Sequence, residues 1–154
     1  MINVKIEKFK IEYYDEILEL WKKTGIGVGS SDTIDEVTRV LNRNPDLFLI
    51  GKIKEKVIAV VIGTFDGRRG YVHHLAVDPN YQKMGFGKII MKALIERFRT
   101  NNIQKVHLFI EKSNNRVAEF YNNLGWDVRE DLIMMSYIPD KKVLPYPLGN
   151  EFYL

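Results

Sequence analysis

The chain has 154 residues, 45% of them apolar and 28% charged, which fits one folded domain and excludes a disordered or low-complexity chain. Lys and Arg outnumber Asp and Glu by only 23 to 20, too small and dispersed a surplus for a nucleic-acid binder, even with a sequence pI near 9.0. Cysteine is absent, so a disulfide framework, a thiolate metal site and a cysteine nucleophile are all excluded.

The opening stretch MINVKIEKFKIEYY alternates apolar and charged residues and builds no signal-peptide core. The longest apolar run, 57–62, is far shorter than the roughly 20 residues of a membrane-spanning helix. A cytoplasmic protein that uses neither membrane nor nucleic acid is expected. Ile2, Val4 and Ile6 alternate with Asn3, Lys5 and Glu7, the pattern of a half-buried first strand. Ile17, Leu18 and Trp21 recur at helical spacing, which predicts an amphipathic helix over 11–23. A glycine-rich loop follows at 25–31, and Asp32 or Thr33 can cap a second helix carrying Val37, Val40 and Leu41, which ends before Pro45.

Residues 47–53 and 56–65 are apolar at successive positions, as in strands covered on both faces. Asp66-Gly67 marks a hairpin into a strand over 70–77. Beyond Asp78-Pro79, the segment 81–88 opens a helix whose buried face is Ile90, Leu94 and Phe98. A strand over 105–110 and a helix over 115–123 follow, the helix stopped by Gly125. Residues 126–129 and 132–138 are predicted to be the last two strands. The order β-α-α-β-β-β-α-β-α-β-β gives one α/β (α+β) domain with a mixed sheet over residues 1–138. The tail, 139–154, holds three prolines and the apolar residues Leu144, Tyr146, Leu148, Phe152, Tyr153 and Leu154. It is expected to fold over the body or to join a homodimer contact.

The segment Gln82-Lys83-Met84-Gly85-Phe86-Gly87-Lys88 carries the first chemical signal. A strand that runs through glycines into a helix presents unpaired N–H groups at the positive end of a helix dipole, an anion site suited to phosphate. Gly85 and Gly87 allow close approach, and Lys83 and Lys88 add positive charge. The same glycines could instead serve only to tighten the turn. Neither the Walker pattern nor the dinucleotide G-x-G-x-x-G is present. No His-Glu-x-x-His or carboxylate cluster suggests a metal.

Val77-Asp78-Pro79 followed by residues 81–87 resembles the acyl-CoA-binding segment of the GNAT (GCN5-related N-acetyltransferase) superfamily, V-x-P and then Q/R-x-x-G-x-G/A. Residues 114–126 resemble that family's N-x-x-A-x-x-L-Y-x-x-x-G-F segment, with Val117, Phe120 and Trp126 as apolar exchanges. The two matches are correctly ordered and one strand apart.

The resemblance implies a GNAT fold and an N-acetyltransferase that moves an acetyl group from acetyl-CoA to a primary amine. The backbone amides of Gln82, Lys83, Met84, Gly85, Phe86, Gly87 and Lys88 would hold the CoA diphosphate. The strand edge at Leu75, Ala76 and Val77 would pair with the pantetheine arm and the acetyl carbonyl. Asn114 would lie near the pantetheine, or serve only as a helix N-cap. Tyr121 would give a proton to the departing thiolate, or merely pack beside Phe120. Alternation places Tyr71, His73 and Leu75 on one face and His74 on the other. His73 has the parity of the family's histidine bases, although a bulge would exchange the two histidines. A purely packed His73 is the competing account, and His107 is expected to be structural. The acceptor surface would be roughly residues 21–36, where Asp32, Asp35 and Glu36 could attract an amine, together with the turn at Arg129-Glu130-Asp131. With no cysteine, direct transfer in a ternary complex is expected. An acyl-CoA sensor on the same fold is the alternative function.

Overall fold

A computed structural model describes residues 2–143; the tail from Leu144 onward, with its expected packing, lies outside the described residues. Five strands form one sheet in sequential order: β1 (Lys5–Lys8), β2 (Phe48–Ile53), β3 (Lys56–Phe65), β4 (Gly70–Val77) and β5 (Val106–Leu108). The first four pair antiparallel, and β5 joins β4 in parallel after a helical crossover. The helices are α1 (Tyr14–Lys23), α2 (Ile34–Arg43), α3 (Phe86–Thr100) and α4 (Asn115–Asn123).

The doubly apolar strands β2 and β3 become the middle of a three-layer structure. Leu49, Ile58 and Val61 face one core with Ile90, Leu94 and Phe98 of α3. Phe48, Ile50, Val60 and Ile62 face a second core with Ile17, Leu20 and Trp21 of α1 and Val37 of α2. Helix α3 sits close to the sheet at Gly63, where a Cβ would come within 2.6 Å of Leu94 and 2.8 Å of the Leu47 carbonyl oxygen. Thr33 is the N-cap of α2, its hydroxyl accepting the Glu36 N–H at 3.3 Å. Gly125, at φ +94°, terminates α4 in the left-handed region.

Several elements differ from the sequence reading. The first strand begins at Lys5 rather than Ile2, and its pairing with β2 runs from Lys5 opposite Lys52 to Lys8 opposite Leu49. The segment expected to be helical from residue 11 begins as a 3-10 turn at Ile11–Tyr13 before α1. Residues 126–138 form no strand, and β5 is confined to Val106–Leu108. Alternating apolar residues become a strand only where a neighbouring edge takes their hydrogen bonds, and among the described residues none does so for 126–138.

Candidate active site

The site is built where the sheet divides. β5 accompanies β4 only at Gly70, Tyr71 and Val72, opposite Val106, His107 and Leu108. From His73 to Val77, β4 runs on with β3 on one side and, among the described residues, no strand on the other. The C-terminal half of β4 thus presents a backbone edge that no described strand covers.

The pairing of β3 with β4 slips between Val60 and Ile62, so His74 and Leu75 together oppose Val61. His74 occupies the left-handed region at φ +51°, costly for a non-glycine residue and typical of a held, functional bulge. This bulge corrects the predicted parity. Tyr71 and His73 share the α1–α2 face, opposite Thr64 and Ile62, but Leu75 turns to the α3 core. His74 joins His73 on the α1–α2 side, where its ring lies 4.9 Å from the Trp21 ring.

Val77 leads into Asp78, which is 1% exposed. Its carboxylate accepts the Asn80 N–H at 2.9 Å and lies 3.5 Å from the Lys56 ammonium. Gln82 folds back and donates from its side chain to the Val77 carbonyl at 2.9 Å. Lys83 (φ +64°) and Gly85 (φ +86°) are both left-handed, which turns the chain sharply into α3. Gln82, Lys83, Met84, Gly85 and Lys88 are exposed, and Gly87 is half-buried. A Cβ at Gly87 would sit 3.4 Å from the Phe120 ring and 3.7 Å from Val77. Phe86 and Ala76 are buried in the α3 core and the α1–α2 core, respectively. At those two positions only the backbone is available to a ligand.

On the α3 side of the sheet, Tyr121 projects from α4 into the core and is 6% exposed. Its ring meets Phe120 at 5.1 Å and Trp126 at 5.5 Å, edge to face. Burial pushes its phenol pKa well above the ordinary value. No group among the described residues hydrogen-bonds its hydroxyl, an unusual state for a buried tyrosine. Asn114 caps α4, its side chain accepting the Val117 N–H at 3.4 Å.

On the opposite face, Tyr71 gathers a set of rings: His73 at 6.3 Å, His107 at 5.9 Å and Phe109 at 6.4 Å. His73 Nε2 also lies 3.4 Å from the Thr64 hydroxyl. Asp32 is 5% exposed and therefore cannot serve as a surface attractor for an amine. One carboxylate oxygen contacts His74 Nε2 at 2.9 Å, and the other accepts the Gly29 N–H at 2.8 Å. The Tyr14 hydroxyl donates to the Asp32 carbonyl at 2.7 Å, and the Trp21 indole N–H to the His74 carbonyl at 3.3 Å. The α1–α2 loop is thereby fastened to the bulge of β4. Sequence reasoning missed this pair, since 42 residues separate its members and only the bulge turns His74 toward Asp32. At the other end of the expected acceptor surface, Arg129 and Asp131 form an exposed bidentate pair.

The acetyltransferase (GNAT) family profile matches residues 13–126. The chain belongs to the GNAT acetyltransferase family. It is 24% identical to an acetyltransferase of Sodalis glossinidius over 133 residues, 86% of this chain and 94% of that relative. The fold is that of Ard1 from Thermoplasma volcanium, with TM-score 0.75, 18% identity, and 82% and 84% of the two chains covered. It is also that of the PaiA N-acetyltransferase of Thermoplasma acidophilum in complex with coenzyme A, with TM-score 0.74, 17% identity, and 84% and 92% covered. An aminoglycoside acetyltransferase from an uncultured soil sample, in complex with sisomicin, aligns with TM-score 0.68 at 17% identity over 89% and 97%. Among the described residues, no helix of this GNAT protein is long and apolar enough to cross a membrane.

Proposed function

We propose that the protein is an N-acetyltransferase that moves the acetyl group of acetyl-CoA to a primary amine by direct attack in a ternary complex. The observation that carries this reading is the departure of β4 from β5 after Val72, with a strand edge running straight into the left-handed loop that opens α3. A strand edge can pair with the amide groups of a pantetheine arm, and the first N–H groups of α3 suit a diphosphate. The Tyr121 hydroxyl, which has no hydrogen-bond partner among the described residues, supports the same fit, because the thiolate would accept its proton.

The residues divide by face. Gln82 to Lys88 bind the diphosphate through backbone amides, and Lys83 and Lys88 add charge. Leu75, Ala76 and Val77 orient the thioester, and Asn114 holds the start of α4 beside it. On the α1–α2 face, His73 takes a proton from the acceptor ammonium, and the surrounding aromatic rings favour a cationic or flat acceptor. As the new N–C bond forms and the C–S bond breaks, the departing sulfur takes the proton of Tyr121. The second amine proton, released when the amide forms, restores the phenol.

Thiol release from acetyl-CoA across a panel of small and peptide amines tests the proposal. Amine-dependent release with intersecting initial-rate plots is expected, and His73→Gln should lower turnover by roughly 10²–10⁴-fold. Parallel plots would refute direct transfer. Tight acetyl-CoA binding without transfer to any amine would refute the enzyme reading.

A further inference from the structure

We infer, on the acetyl-transfer reading above, that the acceptor is an arylalkylamine whose aromatic ring lies against Tyr71 and Phe109 while its amine meets His73. The outer end of the sheet supplies the surface. Parallel pairing sets His107 of β5 opposite Tyr71 of β4, and alternation carries Phe109 to the same face. Tyr71 and His73 lie on that face too, opposite Thr64 and Ile62 of β3. Helices α1 and α2 pack the neighbouring part of it, with Ile62 and Ala76 in their core, but neither Tyr71 nor Phe109 belongs to that core. Phe109 is 47% exposed, and Tyr71, His73 and His107 are half-buried.

The rings are ordered against one another. The Tyr71 ring is inclined by only 16° to Phe109, 6.4 Å away, and by 28° to His73, 6.3 Å away. The His107 ring stands at 49° to it, at 5.9 Å. Such separations fall in the range of favourable ring pairs. Aromatic rings gathered in one accessible patch mark a binding surface.

Three features select the occupant. A flat aromatic ring gains stacking on this strip, which a saturated group of equal bulk does not. The strip ends at His73, the next residue of β4 on the same face as Tyr71 and roughly 6–7 Å along the strand. A ring against Tyr71 therefore needs only a short alkyl linker to bring an amine to the imidazole. Asp32, the buried carboxylate of this face, is no partner for a second ammonium. It is 5% exposed, and its oxygens are taken by His74 Nε2 and the Gly29 N–H, which disfavours a polyamine.

Calorimetric titration of the full chain with coenzyme A present, and so without turnover, tests the ring site. Phenethylamine should bind roughly tenfold more tightly than cyclohexylethylamine, which matches its apolar bulk but cannot stack. Phe109→Ala, at an exposed position, should remove most of that difference, and Phe109→Trp should keep it. Equal affinity of the wild type for the two amines would overturn the inference, as would a preference that survives in both Phe109→Ala and Tyr71→Ala. A wild type that binds neither amine, while a chain with Tyr146, Phe152 and Tyr153 replaced by serine binds both, would assign the strip to the tail and overturn it as well. Thiol release from acetyl-CoA reports separately on the transfer reading. Phenethylamine bound with the expected preference but never acetylated would refute transfer and uphold the ring site. Acetylation of both amines with equal KM would uphold transfer and overturn the ring site.

Discussion

Replacing Tyr121 with Phe should move stability and activity in opposite directions. The hydroxyl is buried and finds no hydrogen-bond partner among the described residues, so the folded protein carries its desolvation cost without return. An unsatisfied buried polar group costs roughly 1–3 kcal/mol. Removing it while keeping the ring, with its 5.5 Å contact to Trp126, should therefore stabilise the free protein by about 1 kcal/mol. For a chain of this size that raises Tm by roughly 2–4 °C. Under the proposed mechanism the same substitution deletes the proton donor for the thiolate, so turnover should fall by roughly 10²–10⁴-fold while coenzyme A affinity is kept. Thermal unfolding of the ligand-free protein and thiol release on the same preparations give both numbers. A variant that is less stable and fully active would show that the hydroxyl has a structural partner and no catalytic task.

Tyr121 also has a pH signature. Burial raises its pKa above the unfolded value near 10, so this contribution to stability is complete below that pH. It is lost as pH rises toward the higher folded value. Wild type should lose stability above about pH 10 more steeply than Tyr121→Phe in urea titrations, and the phenol should stay protonated, with no tyrosine limb in the rate profile below that pH. Gly87→Ala should cost less than ~1 kcal/mol of stability, because its Cβ meets only ordinary contacts. It should weaken coenzyme A by about tenfold or more where the backbone approaches the ligand. Gly63→Ala should do the reverse: overpacking against Leu94 and the Leu47 carbonyl should cost roughly 1–3 kcal/mol with coenzyme A affinity retained, as measured by denaturation and calorimetry. Asp32→Ala strips hydrogen-bond partners from His74 and Gly29. It should destabilise by roughly 1–3 kcal/mol and raise the acceptor KM more than the acetyl-CoA KM, and equal effects on both would separate the loop from acceptor binding.

The middle of the fold was legible because its signals are local. Two strands with apolar residues at successive positions, the Asp66-Gly67 hairpin and the glycine after α4 each dictate their own element. The bounds of β3, β4 and α4 follow from them. The turn into α3 was legible in part, since the left-handed Gly85 is a glycine, whereas the left-handed Lys83 left no mark in the sequence. The bulge at His74 left no such mark. It is set by the register between β3 and β4, so simple alternation misassigned Leu75 and His74, and with them the role of Asp32. Residues 126–138 failed differently: their pattern is that of strands, but pattern alone does not say which edge a strand will take.

The central claim is that the β4 edge and the loop at 82–88 together hold the diphosphate and pantetheine of coenzyme A. Titration of coenzyme A into the wild-type protein by calorimetry tests it most directly, with Gly87→Val as the companion. The account predicts one molecule bound per chain, and binding abolished in a variant that still unfolds cooperatively. No heat of binding to the wild type at millimolar coenzyme A, or equal affinity in the variant, would contradict it.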